Sequence, residues 1–190
     1  MELSDAEVMA RTVGDPKCFV HVFDRHGRAI HAFLARRAGR QAADDLLGEV
    51  WLQALRSVQG YDGRWPDARP WLYGIARNVL RGHWHAQARD ARGRYPATLP
   101  ADPWGDVDDD LDAARRSPAL HAALTALPVP DREVLLLVAW EELTPAEVAV
   151  VLGMPAGTVR WRLHRARSSL QRQLGDLPRS SAGFETTMGV

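Results

Sequence analysis

The 190-residue sequence contains one cysteine, Cys18, and one lysine, Lys17, among 24 basic residues. A single cysteine cannot form an internal disulfide, and no apolar run is long enough to indicate secretion or a membrane span. The sequence also has no phosphate-binding loop, no nucleophile elbow and no paired-carboxylate site. These absences favour a cytoplasmic protein without membrane insertion, and they predict a protein that is not an enzyme and holds no cofactor or metal.

The alternative to that prediction is a metal enzyme whose ligands are histidines and the cysteine. The candidate ligands for a metal enzyme are Cys18, His21, His26 and His31, or His83 with His85. A typical metal-site pattern has two pairs of closely spaced ligands, and the second pair is missing here. Histidines on helices are also more often solvated or packed than ligating. The metal enzyme is therefore the minor interpretation.

Positive and negative charges are segregated along the chain, although the net charge is zero. Six aspartates and no basic residue lie between residues 101 and 113, together with Pro103 and Gly105. This composition is typical of a flexible acidic linker, and arginine-rich segments flank it on both sides. A solvated spacer is the simpler interpretation of the aspartates, and an autoinhibitory strand that mimics nucleic acid is the alternative.

Apolar residues recur at helical spacing along the chain, and no segment alternates like a strand. Before the linker, the pattern predicts helices at about 5–13, 18–38, 42–58 and 70–88, with a loop at 60–66. Phe23 belongs to the predicted apolar face of the second helix, and Trp71 is expected in the core. The sequence therefore predicts an all-helical N-terminal half.

The segment from Thr144 to Leu170 predicts two capped helices joined by a glycine turn. Thr144 and Glu147 have the spacing of a capping box, and Gly153 stands where the chain needs a positive φ. The second helix has one inward apolar stripe, and the residues around it include Arg160, Arg162, Arg165, Arg167 and Arg172 without any acid. Guanidinium groups suit phosphates and guanine edges. The segment is therefore predicted to be a DNA-binding helix-turn-helix.

The last predicted helix before the linker mixes aromatic rings, cations and an amide. Its members are Trp71, Tyr73, Arg77, Asn78, Arg81, His83, Trp84 and His85. This mixture suits single-stranded DNA, because unpaired bases stack on aromatic faces at roughly 1–3 kcal/mol each while arginines hold the backbone. Trp65 and Trp84 are the better candidates for exposed stacking surfaces.

Two helical modules, an acidic tether and a terminal helix-turn-helix together resemble the extracytoplasmic-function (ECF) group of the bacterial sigma-70 family. Four motifs carry the resemblance: AADDLLGEVW at 42–51, RPWLYGIARN at 69–78, LPVPDREVLLL at 127–137, and GMPAGTVRWRLHRARSSL at 153–170. The resemblance implies an all-α fold of two small helical domains joined by a flexible acidic linker. The implied segments are an N-terminal arm at 1–15, a region 2 domain at 16–90, the linker at 91–116, a region 4 helix-turn-helix domain at 117–175 and a disordered tail at 176–190.

The resemblance also implies a function: a sigma factor that binds core RNA polymerase and directs promoter-specific transcription initiation. The residues that match the polymerase-docking part are Asp44, Asp45, Leu46, Glu49 and Trp51. Those expected to melt and capture the non-template strand of the minus-ten element are Tyr61, Arg64, Trp65, Arg77, Asn78, Arg81 and Trp84. Those expected to contact the minus-thirty-five duplex are Thr158, Arg160, Trp161, Arg165 and Arg167. An anti-sigma factor is an expected partner.

Two positions depart from the family pattern. Trp161 stands where a small polar residue is common, so either the base contacts differ or the indole packs against the backbone of the groove. Gly48 replaces a usual glutamine in the docking helix, at a cost of about 1 kcal/mol of helix stability relative to alanine. The rival interpretation of the chain is a two-domain helix-turn-helix regulator with a ligand-sensing N-terminal domain, which would need no polymerase-docking or strand-capture motif.

Overall fold

The computed structural model describes residues 3–92 and 118–175, and every regular element within these ranges is helical. The all-α prediction is confirmed. Most of the predicted linker at 91–116 and the whole tail at 176–190 lie outside the described residues. Within the described ranges, no helix is both long enough and apolar enough to cross a lipid bilayer.

The N-terminal half consists of four α-helices: α1 (Asp5–Thr12), α2 (Val20–Ala38), α3 (Arg40–Ser57) and α4 (Arg69–Arg92). Short 3₁₀ turns at Pro16–Phe19 and Val58–Gly60 connect them. Ser4 and Glu7 form a capping box at the start of α1. Gly39 joins α2 to α3 at φ +78°, a conformation that favours glycine and lets the chain reverse without a longer loop.

The N-terminal core lies between α2, α3 and α4. Phe33 and Leu34 of α2 and Leu72 and Tyr73 of α4 are almost fully buried, and the rings of Phe33 and Tyr73 meet at 5.1 Å between centroids. Phe23 belongs to the predicted apolar set of α2 but lies outside this core, because 44% of its surface is exposed. Its ring packs on Trp51 at 5.1 Å, on the outer edge of α2 and α3.

The C-terminal half consists of α5 (Pro118–Thr125), α6 (Val129–Ala139), α7 (Pro145–Leu152) and α8 (Ala156–Gly175). Helix α8 packs across both α6 and α7. Val159, Leu163 and Ala166 of α8 are buried in this packing, as the apolar stripe predicted. The turn between α7 and α8 is the predicted helix-turn-helix turn.

The two halves are in contact, and one hydrophobic cluster contains residues from both. The main contact is between α4 and α7. A Cβ added at Gly74 of α4 would lie 4.0 Å from the carbonyl oxygen of Val151, so the two helix backbones approach closely at this point. The aromatic and basic surface of α4 is consequently next to the helix-turn-helix.

Candidate nucleic-acid interface

Local hydrogen bonds fix the helix-turn-helix. The backbone N–H of Glu147 donates to Thr144 Oγ1 (3.3 Å), and the Glu147 carboxylate accepts from the backbone N–H of Thr144 (2.7 Å), so the predicted capping box is confirmed. Gly153 ends α7 in the left-handed conformation, at φ +63°. Pro155 precedes α8 instead of opening it, and its carbonyl accepts from the backbone N–H groups of Thr158 and Val159. These bonds set the direction of α8 against α7.

The solvent-facing side of α8 is rich in cations and carries no acid. Arg160, Trp161, Arg165 and Arg167 are exposed, and Thr158 is half-buried. The predicted minus-thirty-five residues are therefore on the accessible part of one helix. His164 is exposed among them and was not predicted, although it belongs to the same helical face by spacing.

A three-residue cluster stands at the centre of this face. The guanidinium of Arg165 donates to both oxygens of Asp131 on α6, from Nη2 to Oδ1 at 2.7 Å and from Nε to Oδ2. The Asp131 side chain is only 1% exposed. The Arg165 guanidinium also lies 4.2 Å from the centroid of the Trp161 ring. Asp131 was missed from the sequence, because an acid in the first turn of a helix indicates stabilisation of that helix terminus and names no distant partner.

Helix α4 presents its polar residues in two environments. Asn78 and Arg81 are exposed, whereas Trp84, expected to be an exposed stacking surface, is half-buried. Arg77 donates to both oxygens of Glu133 on α6, at 2.6 and 3.4 Å. One of the predicted minus-ten arginines is therefore paired with a carboxylate from the other half of the molecule.

Residues 61–69, here called the capture segment, form one wall of a pocket of about 450 Å³. Tyr61, Arg64, Trp65 and Trp71 line it, and Val150 of α7 closes one side. The Tyr61 hydroxyl donates to the carbonyl of Trp65 at 2.5 Å. Burial, together with the nearby carboxylates of Asp5 and Asp67, raises the Tyr61 pKa to about 12, so the hydroxyl stays a donor at neutral pH.

Trp65 and Trp71 both differ somewhat from their expected environments. Trp65 is half-buried where an exposed ring was expected. Trp71 is also half-buried: it packs against the core as expected, and its ring additionally contacts Tyr61 edge-on at 5.4 Å. The pocket is consequently lined by several aromatic rings at once.

Asp5 of α1 joins three separate parts of the N-terminal half. Its carboxylate accepts from Arg25 (2.7 Å), from the backbone N–H of Ala68 (2.8 Å) and shares a hydrogen bond with His26 (2.6 Å). Burial by itself raises the pKa of Asp5, but the bonds with His26, Ala68 and Arg25 outweigh it and hold the pKa well below the usual range. Helix α1 therefore anchors the end of the capture segment through an ionised carboxylate.

A buried charge cluster joins the two halves, and its centre is Glu141. The Glu141 carboxylate, 2% exposed, accepts from Arg36 (2.6 Å), Arg37 (3.3 Å) and the hydroxyl of Tyr73 (3.2 Å). Burial lowers the pKa of Arg37 to about 9, while the Glu141 carboxylate opposes that shift, so Arg37 stays charged at neutral pH. Glu142, the next residue, adopts φ +54°, the left-handed region, where the chain turns out of α6.

Helix α3 exposes an acidic face to solvent. Asp44, Asp45 and Glu49 are exposed, and Asp44 contacts His31 at 3.0 Å. Leu46 is buried and Trp51 is half-buried against Phe19 and Phe23. The predicted docking residues thus divide into accessible carboxylates and packed residues beneath them.

Asp5, His26 and Asp67 are close enough together to be tested as a metal site, since one potential ligand atom from each lies within 4.8 Å of the others. Hydrogen bonds explain the cluster. Asp5 uses both oxygens on His26, Arg25 and Ala68, and Asp67 pairs with Arg69 at 2.8 Å.

Two family models match the chain, in the same order as its two helical halves. The Sigma-70 region 2 model matches residues 22–90, and the Sigma-70 region 4 model matches residues 117–170. The first covers the α4 surface and the capture segment. The second covers the helix-turn-helix.

Named relatives and solved structures agree with the family models. The chain is 34% identical over 180 residues to the ECF RNA polymerase sigma factor SigM of Mycobacterium tuberculosis, covering 93% of this chain and 87% of that protein. It is 33% identical over 150 residues to the sigma factor EcfG of Rhodopseudomonas palustris, covering 77% and 78%.

Among solved structures, CnrH in complex with the cytosolic domain of CnrY is similar at a TM-score of 0.60 and 26% identity, covering 90% of this chain and 97% of that one. The sigma factor RpoE of Bartonella quintana, in complex with the anti-sigma factor NepR, has the same fold at a TM-score of 0.56 and 22% identity, covering 86% and 98%. Together with the two region matches, these similarities show that the chain belongs to the ECF group of the sigma-70 family of RNA polymerase sigma factors.

Proposed function

We propose that this sigma factor divides promoter recognition between a region 2 module at 16–90 and a region 4 module at 117–175. The segment at 91–116 tethers the modules, residues 1–15 form an N-terminal arm, and 176–190 form a tail. The observation that carries the proposal is the pair of region matches on the two helical halves. A tether makes the second DNA contact intramolecular, so two weak contacts combine through effective concentration.

Core RNA polymerase binds the exposed face of α3 in this proposal. Asp45 and Glu49 are exposed four residues apart, and Leu52, three residues further on, is also exposed. Carboxylates beside an apolar side chain suit a partner surface that combines basic and apolar groups. Leu46 and Trp51 support this face from the packed side of the helix.

The exposed part of α4 and the capture segment bind the non-template strand of the minus-ten element. Asn78 and Arg81 are exposed at a spacing of three, which puts them on one face of the helix. The aromatic pocket at the capture segment offers stacking surfaces for unpaired bases. These contacts can form only with the unpaired bases of melted DNA. Binding therefore shifts the promoter toward the open state.

The exposed face of α8 binds the minus-thirty-five duplex in the major groove. Arg160 is the proposed base-contacting cation, since it is exposed near the start of the helix. Thr158 and Arg167 are the proposed phosphate contacts. An α-helix fits the major groove, and arginine forms paired hydrogen bonds with guanine there.

Strand capture also requires that the two halves move apart. In the described arrangement Arg77 is paired with Glu133 of α6, and Val150 of α7 lines the pocket at the capture segment. An unpaired base would compete with Val150 for the pocket, and a DNA phosphate would compete with Glu133 for Arg77. The free chain is therefore a closed form that opens on polymerase and promoter.

A further part of the proposal concerns partners and location. The similar structures of CnrH and RpoE are each complexes with a second protein, and the latter is described as an anti-sigma factor. We extend this to an anti-sigma partner for the present chain. We also propose that the protein acts in the cytoplasm with the polymerase and performs no covalent chemistry of its own.

The rival function, a regulator with a ligand-sensing N-terminal domain, is not favoured. The region 2 match occupies 22–90, where a ligand sensor would have to be. The matched half also carries exposed carboxylates on α3 and an amide and arginine on α4. A ligand sensor has no need of these groups on two different surfaces.

Run-off transcription on fragmented genomic DNA tests the proposed function. Core RNA polymerase is assayed with and without the protein, and new transcript starts are mapped. New starts that share two spaced upstream elements are expected. No new starts, from active core enzyme and folded protein without an inhibitor, would contradict the proposal and favour the regulator.

The role of Asn78 has its own test. Asn78→Ala should reduce open complex by about tenfold while closed complex changes little, because its amide contacts a base that is accessible only after melting. Permanganate reactivity of thymines measures the open complex, and footprinting on ice measures the closed complex. Equal loss in both would show that Asn78 does not act on the melted strand.

A further inference from the structure

Trp161 is the large apolar side chain with the highest exposure among the described residues, at 56%. It belongs to the solvent-facing side of α8, between the exposed Arg160 and Arg165. An indole in water leaves a large apolar surface uncovered, which packing among residues 3–92 and 118–175 does not relieve. Its position on the proposed DNA-binding face indicates that DNA covers it.

Arg165 holds the indole in place. Two of its N–H groups are occupied by Asp131, which is almost completely buried, and its guanidinium plane is stacked near the Trp161 ring at 4.2 Å. Both partners restrict Arg165, and the stacked arginine restricts the indole. The three residues therefore form a preorganised unit in which Arg165 has already committed the paired donors that would otherwise contact guanine.

We propose that Trp161 is a specificity-determining residue that recognises the 5-methyl group of a thymine in the minus-thirty-five duplex, with Asp131 and Arg165 as its positioning residues. This inference rests on the proposed function, in which α8 enters the major groove. The thymine methyl is the apolar group that base pairs present in that groove. An indole supplies a broad apolar surface, which matches a methyl, and its single N–H cannot make the paired hydrogen bonds that a guanine edge accepts.

Packing against the phosphate backbone is the alternative position for the indole. Phosphates favour cations, and Arg167, the proposed phosphate contact, is exposed on the same helix to bind them. An uncharged ring against phosphate would remove water from the charge without replacing its hydrogen bonds. Arg167 thus serves the phosphates, and the indole is left to a base edge beside the one that Arg160 contacts.

Replacing thymine by deoxyuridine tests the proposal, because it removes the methyl and keeps every hydrogen-bonding group. The probe is the minus-thirty-five duplex of a promoter mapped by run-off transcription, with each thymine replaced in turn, bound by the holoenzyme at fixed salt. Wild type should lose about fourfold in affinity at one position, the effect of one buried methyl. Trp161→Ala should bind the thymine and uracil duplexes equally.

Four further variants separate the roles. Trp161→Phe should keep most of the discrimination, and Gln171→Ala, an exposed change further along α8, should keep all of it. Asp131→Asn should reduce the thymine-to-uracil ratio, because asparagine offers Arg165 one acceptor oxygen instead of two and carries no charge. Trp161→Ala should also leave the salt dependence of binding unchanged, whereas Arg167→Ala, which removes a proposed phosphate contact, should lower it.

Four results would overturn the inference. Wild type could bind with no position sensitive to uracil, the sensitivity could survive in Trp161→Ala, or Trp161→Ala could weaken all duplexes alike with a lower salt dependence. In these three cases the proposed function stands and Trp161 has another role. If the holoenzyme binds no promoter duplex at all, the proposed function fails first and the inference fails with it.

Discussion

The two arginine-bearing helices, α4 and α8, differ in how their arginines are held. Each has one arginine paired through two hydrogen bonds with a carboxylate of α6: Arg77 with Glu133, and Arg165 with Asp131. The first pair joins the two halves of the molecule, whereas the second lies within the C-terminal half. Separation of the halves would release Arg77 and leave Arg165 where it is.

The same kind of arginine–carboxylate pair therefore has two different roles in this molecule. A pair within one module positions its arginine in every arrangement of the protein. A pair between modules makes the arginine available only when the modules part. Under the proposed function, α8 is therefore presented in every arrangement, whereas Arg77 of α4 becomes available only when the two halves separate.

Removing the carboxylate at the centre of the Glu141 cluster should have the largest effect, because this cluster holds the two halves together. Glu141→Ala leaves the buried guanidinium of Arg37 without that carboxylate, and loss of one partner from a buried ion pair costs about 3–5 kcal/mol. We expect the two halves to separate, so that the radius of gyration in small-angle X-ray scattering increases. Glu142→Gln, an exposed change at the neighbouring residue, is the control. An unchanged radius in Glu141→Ala would show that other contacts hold the halves together.

Asp5→Asn should have the next largest effect, and it is confined to the N-terminal half. The hydrogen bonds of Asp5 hold its pKa below the usual range, so its stabilisation is present above the unfolded-state pKa of about 4 and is lost as the pH falls below it. We expect a loss of about 3 kcal/mol at pH 7 that shrinks below pH 4, measured by denaturant unfolding. A difference that stays constant from pH 7 to pH 3 would contradict the ionised role of Asp5.

Gly48→Ala should have the smallest effect, of opposite sign. A Cβ at Gly48 meets no atom within 4 Å in the described structure, so alanine should add about 0.5–1 kcal/mol of stability to α3. Because the halves share one cluster, thermal unfolding should remain a single transition that shifts upward. Gly39→Ala is the contrasting variant and should destabilise the protein, since φ is +78° there. Two separate transitions in Gly48→Ala would show that the halves unfold independently.

The sequence predicted the local features of this fold well. The capping boxes at Ser4 and Thr144 and the left-handed Gly153 were predictable because their partners are within a few residues. Helix existence followed from apolar spacing, although α3 begins at Arg40 and α4 extends to Arg92, beyond the predicted bounds. Local rules therefore sufficed for the all-α fold and the helix-turn-helix.

The contacts between distant residues could not be predicted in the same way. Glu141 is 105 residues from Arg36, and Glu133 is 56 residues from Arg77, so no local pattern relates them. Helical spacing grouped Phe23 with the apolar residues of α2, but that residue is 44% exposed and lies outside the core. The partners of charged residues depend on how the halves pack, which periodicity does not specify.

Two variants and two probes test the central claim, that one module binds the melted strand and the other binds duplex. Holoenzymes with Asn78→Ala or Arg160→Ala are titrated with a minus-ten non-template oligonucleotide and with a minus-thirty-five duplex. We predict that Asn78→Ala weakens binding of the single strand only and Arg160→Ala weakens binding of the duplex only, each by at least about fivefold. If either variant weakened both probes equally, the proposed division between the modules would be wrong.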